Sequence, residues 1–140
     1  MAMTNNDFKE YIKKYGANNA LLKAETVEHI QIALNAGADV NAKHQISGRT
    51  ALMNAKTAEQ TKLLIKAGAD VNAHNVTGLT ALMCAKTAEQ TKILIDADAN
   101  VNAKDCIERT ALTFAETAAQ KKLLLKAGAN IFEIAKTKKR

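Results

Sequence analysis

The chain has 140 residues, about one domain's worth, with 47% hydrophobic residues, 4% aromatic residues and a net charge of +6. No stretch is apolar for long enough to span a bilayer, and no secretory hydrophobic region follows Met1. A cytoplasmic protein is therefore expected, periplasmic or secreted only if a leader has been removed. Lys136, Lys138, Lys139 and Arg140 supply four of the six surplus charges, so the basicity marks a terminal run more than a basic binding face.

From the N-terminus, Thr4 and the residues up to Asp7 offer side-chain caps, and Phe8, Tyr11, Ile12 and Tyr15 follow on one helical face. A helix over residues 7–15 is predicted, with Lys9, Glu10, Lys13 and Lys14 turned to water as the cap of a stack requires. Gly16, Ala17 and Asn18 follow, and an inner helix over residues 20–24 starts so soon afterwards that no long hairpin fits between the two. Thr26 then opens a second helix with His29 three residues on.

After the phrase Gly37-Ala-Asp-Val-Asn-Ala42, a longer unit begins. Residues 48–65 recur almost unchanged at 78–95, thirty residues later, with differences only at Arg49/Leu79, Asn54/Cys84 and Leu63/Ile93. Residues 110–125 are a looser third copy, and residues 20–34 an older one that keeps the spacing. The closing phrase returns as Gly68-Ala-Asp-Val-Asn-Ala73, Asp98-Ala-Asn-Val-Asn-Ala103 and Gly128-Ala-Asn130. Self-similarity at a fixed period of this length is the signature of a solenoid.

Within each copy the local chemistry is consistent. Thr57, Thr87 and Thr117 stand three residues before Gln60, Gln90 and Gln120, the spacing of a capping box worth about 1 kcal/mol. Ala51, Leu52 and Ala55 face inward from the first helix of a unit, and Leu63, Leu64 and Ile65 from the second. Gly68 and Gly128 end helices, and Gly48 and Gly78 precede the next threonine. Asp98 and Glu108 break these two glycine patterns, at about 1 kcal/mol each if the positive φ is kept. Residues 131–137 end in the same Ala-Lys-Thr as residues 51–57 and read as a closing half-helix. Loops at 43–48, 74–78 and 104–108 join the units, the first one residue longer than the others.

The two phrases together resemble ankyrin repeats. That family's units open Gly-x-Thr-Pro-Leu-His and close Gly-Ala-Asp-Val-Asn-Ala. Thr50, Thr80 and Thr110 match its threonine, and Leu52, Leu82 and Leu112 its buried leucine. The proline and histidine are absent and the period is about three residues short of the family's 33, as in the shortened repeats of bacterial and phage ankyrin proteins. The resemblance spans residues 17–131. It implies an all-α solenoid of stacked helix-turn-helix units with short hairpin loops. The expected layout is a cap at 1–19, four helix pairs over 20–127 and a half-repeat with basic tail at 128–140.

Catalysis finds little support. Ser47, the only serine, lacks a Gly-x-Ser-x-Gly context, and neither a phosphate-cradling glycine loop nor a His-Glu-x-x-His motif occurs. His29, His44 and His74 lie apart, and a cluster of His74, Cys84 and Cys106 matches no zinc framework, so no metal or cofactor is expected. Cys84 and Cys106 fall in different units and read as reduced thiols. Asp39 and Asp70 have a structural role open to them, bonding the backbone of their own turn. Phe8, Tyr11 and Tyr15 gather in the cap while Phe114 and Phe132 stand alone, and no basic stripe interleaves with rings as single-stranded nucleic acid requires.

Binding another protein is the expected function. Positions constant between copies pack the stack, and positions that differ are open to a partner. The differing ones are Ile46, Ser47, Val76, Thr77, Cys106 and Ile107 in the loops, Arg49, Leu79 and Arg109 just past them, His74 and Lys104 before them, and Phe114 on an inner helix. The family resemblance implies that loop tips and inner helices line one concave face. A monomer that obstructs a partner enzyme, as an inhibitor or immunity protein, is the specific expectation. An adaptor bridging two proteins is the alternative, and nucleic-acid binding through the basic tail a lesser one.

Overall fold

The computed structural model describes residues 2–131. Its helices alternate between two layers. The outer layer holds α1 (Asn5–Tyr15), α3 (Val27–Asn35), α5 (Ala58–Lys66), α7 (Ala88–Asp96) and α9 (Ala118–Lys126). The inner layer holds α2 (Ala17–Lys23), α4 (Ala51–Asn54), α6 (Ala81–Cys84) and α8 (Ala111–Phe114). Each helix packs on the next of its own layer and on its sequence neighbour, which builds an all-α solenoid.

Two N-terminal boundaries differ from the sequence reading. α1 starts at Asn5, not Asp7, because Thr4 is the cap: its Oγ accepts from Asp7 N at 3.1 Å, while Asp7 Oδ2 accepts from Thr4 N at 3.3 Å. α2 starts at Ala17, not Ala20. Gly16, at φ 89°, turns the chain directly from one helix into the next. The half-repeat expected at 131–137 and the tail at 136–140 lie outside the described residues beyond Ile131.

The inner helices α4, α6 and α8 are single turns. Ala55, Ala85 and Ala115 leave the helix in an extended conformation at φ near −60°, and a new threonine cap follows two residues on. So short a helix holds its place by packing, not propensity. Ala51, Leu52 and Met53 are buried, as are Ala81, Leu82 and Met83. From the outer helices the middle residue of each apolar trio, Leu64, Leu94 or Leu124, is fully buried, while its neighbours are only partly buried and Leu125 is exposed. In the last pair Thr113 replaces the buried methionine and Lys121 the buried Thr61 and Thr91, and both are exposed.

Glutamine side chains join successive units. Thr57, Thr87 and Thr117 accept from the backbone of Gln60, Gln90 and Gln120, as the spacing predicts. The return bond goes to Lys56 N, Lys86 N and Glu116 N, one residue before the cap, with Thr117 N sharing the last. The amide NH2 then crosses to the preceding unit: Gln60 donates to Glu25 O at 2.8 Å, Gln90 to Ala55 O at 3.0 Å and Gln120 to Ala85 O at 3.0 Å. All three glutamines are buried. His29, at the equivalent place in the first unit, is buried against Phe8 instead, ring on ring at 4.3 Å.

α3, α5, α7 and α9 end in Schellman turns. Gly68 N donates to Ile65 O and Ala69 N to Leu64 O, both at 3.0 Å, and the same pair recurs around Asp98 and Gly128. Asp98 keeps the left-handed backbone at φ 67° despite its side chain. The outer side is less uniformly polar than its Lys, Glu and Gln content suggests. Ile65 and Ile93 line a groove of about 450 Å³ between α5 and α7, and Ile12 and Ile32 one of about 490 Å³ between α1 and α3.

Candidate functional site

Three hairpin tips project from the stack, and one acceptor side chain organises each. In the first, His44 Nδ1 accepts from Ile46 N and Ser47 N at 3.2 Å. Asn75 Oδ1 accepts from Thr77 N, Thr77 Oγ and Leu79 N in the second. Asp105 Oδ1 accepts from Ile107 N and Arg109 N in the third. The hairpins close through His44 N to Arg49 O, Asn75 N to Leu79 O and Asp105 N to Arg109 O, at 2.9 to 3.0 Å. Three residue types thus do one job, a role the sequence reading did not assign to any of them. The extra residue of the first tip, Gln45, offsets His44 from the other two in any simple alignment.

Successive tips are tied by backbone bonds. Val76 N donates to Ser47 O at 3.1 Å and Cys106 N to Thr77 O at 2.8 Å. The approach is close: a Cβ on Gly48 would lie 3.1 Å from Val76 N, and one on Gly78 only 2.9 Å from Asp105 Cα. Glycine is needed there for space as well as for positive φ. Glu108 occupies the same position at φ 66° in the third tip, which no further tip covers among the described residues.

A second ladder runs along the turns that close each unit. Asp39 and Asp70 cap their own turns, accepting from Asn41 N and Asn72 N at 2.9 Å. Asn18, Asn41, Asn72 and Asn102 accept through Oδ1 from the backbone N of residues 39, 70, 100 and 130 in the next unit, at 2.7 to 2.8 Å. Asn41, Asn72 and Asn102 also donate to the carbonyls of residues 68, 98 and 128.

These ladders place most of the candidate residues along one edge. Ile46, Val76 and Ile107 are 83%, 70% and 59% exposed on the stapled tips, and Cys106 is exposed beside Ile107. Ser47 and Thr77 serve mainly the scaffold, through the carbonyls that hold the next tip. His74, also exposed, accepts at its carbonyl from Lys43 Nζ at 3.2 Å, and Lys104 is exposed before the third tip.

At the base of the tips, residues five apart pair across the inner helices. Arg49 donates through Nε to Asn54 Oδ1 at 2.8 Å and through Nη2 to Met53 O at 3.0 Å, and Asn54 reaches Leu22 O at 3.4 Å. Leu79 and Cys84 are half-buried against the core. Arg109 lies 4.6 Å from the centroid of the half-buried Phe114 ring while donating to Asp105 Oδ2 at 2.7 Å. Burial of Asp105 acts to raise its pKa. The bonds from the Arg109 backbone, the Arg109 guanidinium and Ile107 N, with the nearby positive charge, outweigh it and hold the carboxyl below its ordinary value.

The inner face also carries Lys23, Lys56 and Lys86, which the sequence reading passed over, beside the candidate Arg49. A groove of about 310 Å³ lies between α2, α4 and α6, with Lys23, Arg49, Lys56 and Lys86 among its lining. Among the described residues no group of three His, Cys, Asp or Glu side chains stands together as a metal site, and no helix is long and apolar enough to cross a membrane.

Residues 15–105, more than half of the chain, match the family model described as ankyrin repeats, in three copies. The pair α8/α9 lies beyond the matched range, although Thr117 caps α9 and Gln120 crosses to the preceding unit as in the earlier pairs. No curated protein matches the chain.

Proposed function

The chain belongs to the ankyrin-repeat family, a protein-interaction module, and on that premise we propose that it acts without catalysis by holding a partner protein against its tips and inner helices. The observation that carries this reading is the exposure of Ile46, Val76 and Ile107 on tips whose backbones are bonded to one another. Apolar side chains aligned along one edge favour a contact that excludes water, and a preformed edge loses little conformational entropy on docking. Leu79 and Phe114 continue the apolar surface below the tips, with Arg49, Arg109, His74 and Lys104 around it to orient the partner.

The specific form we favour is obstruction: a small cytoplasmic inhibitor or immunity protein, monomeric on its own, that covers an enzyme's site. A bridging adaptor is the second reading, and the apolar grooves between the outer helices offer the further surface it needs. The test is affinity capture from lysate of the source organism at moderate salt, comparing the native protein with a folded Val76→Asp, Ile107→Asp variant by mass spectrometry. A protein held by the native form and lost by the variant supports the tip surface, and its activity when bound separates inhibitor from adaptor. Identical capture by both forms overturns the tip reading.

A further inference from the structure

The inner face is electrically lopsided. Around the groove between α2, α4 and α6, the side chains of Arg49, Lys56, Lys86 and Lys23 form no ion pair with any described residue, and Glu25 is the lone carboxylate of the lining. One unit further on the pattern is cancelled. Arg109 is neutralised by Asp105, and Glu116 stands where Lys56 and Lys86 stood. The net charge of the face is therefore concentrated in its N-terminal half.

Arg49 is the built part of this groove. One edge of its guanidinium is occupied by Asn54 Oδ1 and Met53 O, which fixes the plane of the group. An N–H remains on each terminal nitrogen, the fork that grips a carboxylate with two parallel bonds. Lys56 and Lys86 line the groove and are exposed, and Leu22 and Cys84, both half-buried, add apolar lining.

We propose that this groove receives an acidic segment of the partner protein, a carboxylate on Arg49 with an apolar side chain beside it. The inference rests on the protein-binding reading above and names the partner's chemistry. A nucleic acid would share the charge but meets no ring in the lining on which to stack a base. A basic segment would be repelled by the lysines and arginine.

The test uses the whole chain and a fluorescein-labelled peptide of alternating glutamate and leucine, read by anisotropy, with an alternating lysine and leucine peptide and oligothymidine as comparisons. The variant is Lys56→Glu, Lys86→Glu. It folds by the precedent of the chain itself, since Glu25 and Glu116 occupy the equivalent positions, and an unchanged melting temperature verifies this. The acidic peptide should bind the native protein, weaken with salt and lose about tenfold in affinity with the variant, while the basic peptide does not bind. Failure of the acidic peptide to bind, or indifference to the two reversals, overturns the proposal. So does oligothymidine binding more tightly than the peptide with the same dependence on Lys56 and Lys86. The two readings fail separately. Loss of captured protein by the tip variant, with no peptide binding, leaves the tip surface standing and removes the acidic segment. Peptide binding with capture indifferent to the tips does the reverse.

Discussion

The Asp105 carboxylate and the Arg109 guanidinium meet at 2.7 Å, the first wholly buried and the second 36% exposed and roofed by the Phe114 ring. Asp105 also accepts from Ile107 N and Arg109 N, so one side chain holds both the hairpin and the cation that belongs to it. The second tip solves the same problem without charge, through Asn75 and Leu79. Among the three tips only the third joins its organising side chain to the arginine by charge.

Asp105→Ala should therefore destabilise the protein by about 2 kcal/mol, since loop N–H groups and a guanidinium lose their acceptor. Asp105→Asn, which keeps the acceptor that Asn75 uses, should cost about 1 kcal/mol. Urea unfolding of the two variants checks the order. The sign of the pH dependence follows from a folded-state pKa below the ordinary 3.8: the contribution is whole above about pH 4 and is lost as pH falls through the lowered value. The gap between native protein and Asp105→Asn should accordingly shrink on acidification below pH 4.

Gln90→Ala should cost about 2 kcal/mol, because Lys86 N and Ala55 O are left without partners at the join between two units. The same change at an exposed residue such as Lys92 should fall within about 0.5 kcal/mol of the native protein. Thermal unfolding of both resolves the difference.

At the crowded glycine Gly78, substitution by alanine should destabilise by more than about 1 kcal/mol, since the new Cβ would combine a left-handed backbone with an approach to Asp105 Cα. Glu108→Gly should act oppositely, raising stability by up to about 1 kcal/mol as the left-handed residue loses its side chain. Melting temperatures moving in opposite directions would meet both expectations, and a fall at Glu108→Gly would contradict the strain argument.

Val76→Asp and Ile107→Asp should leave stability within about 0.5 kcal/mol of native, alone or together, because both side chains are mostly in water. A melting curve coincident with the native one, measured before any binding experiment, verifies that loss of a partner reports the surface itself.

How far the sequence could be read follows from where each partner sits. The thirty-residue period, the threonine caps and the positive-φ positions, Asp98 and Glu108 among them, are local features, and each left a residue type at a fixed offset. The cross-unit bonds left none. Gln90 reads as half of a capping box, yet its second partner is the backbone carbonyl of Ala55, which any residue would supply. Asn72 reads as turn composition although it joins two units through residues 98 and 100. His44, Asn75 and Asp105 share a function but no letter. Lys56 and Lys86 were hidden differently: identical in two copies, they carry no mark that separates a binding residue from a packing one, whereas Arg49, which differs from Leu79, was legible.

The cross-unit glutamine and asparagine bonds join adjacent units, chiefly through backbone groups that every unit presents, and Gln90 and Gln120 add a bond to the threonine of the unit before, Thr61 or Thr91. A duplicated segment equivalent to residues 48–77, spliced in beside its parent, would bring its own Gln and Asn and meet the donors and acceptors they require. The array can thus lengthen by recombination without a compensating change elsewhere, and each added unit would widen the inner face by another Lys at the position of Lys56. In the last described pair Thr113 and Lys121 are exposed where the inner units bury Met and Thr, so a copy of residues 48–77 finds its matching apolar and threonine neighbours beside its parent, not beside α8 and α9.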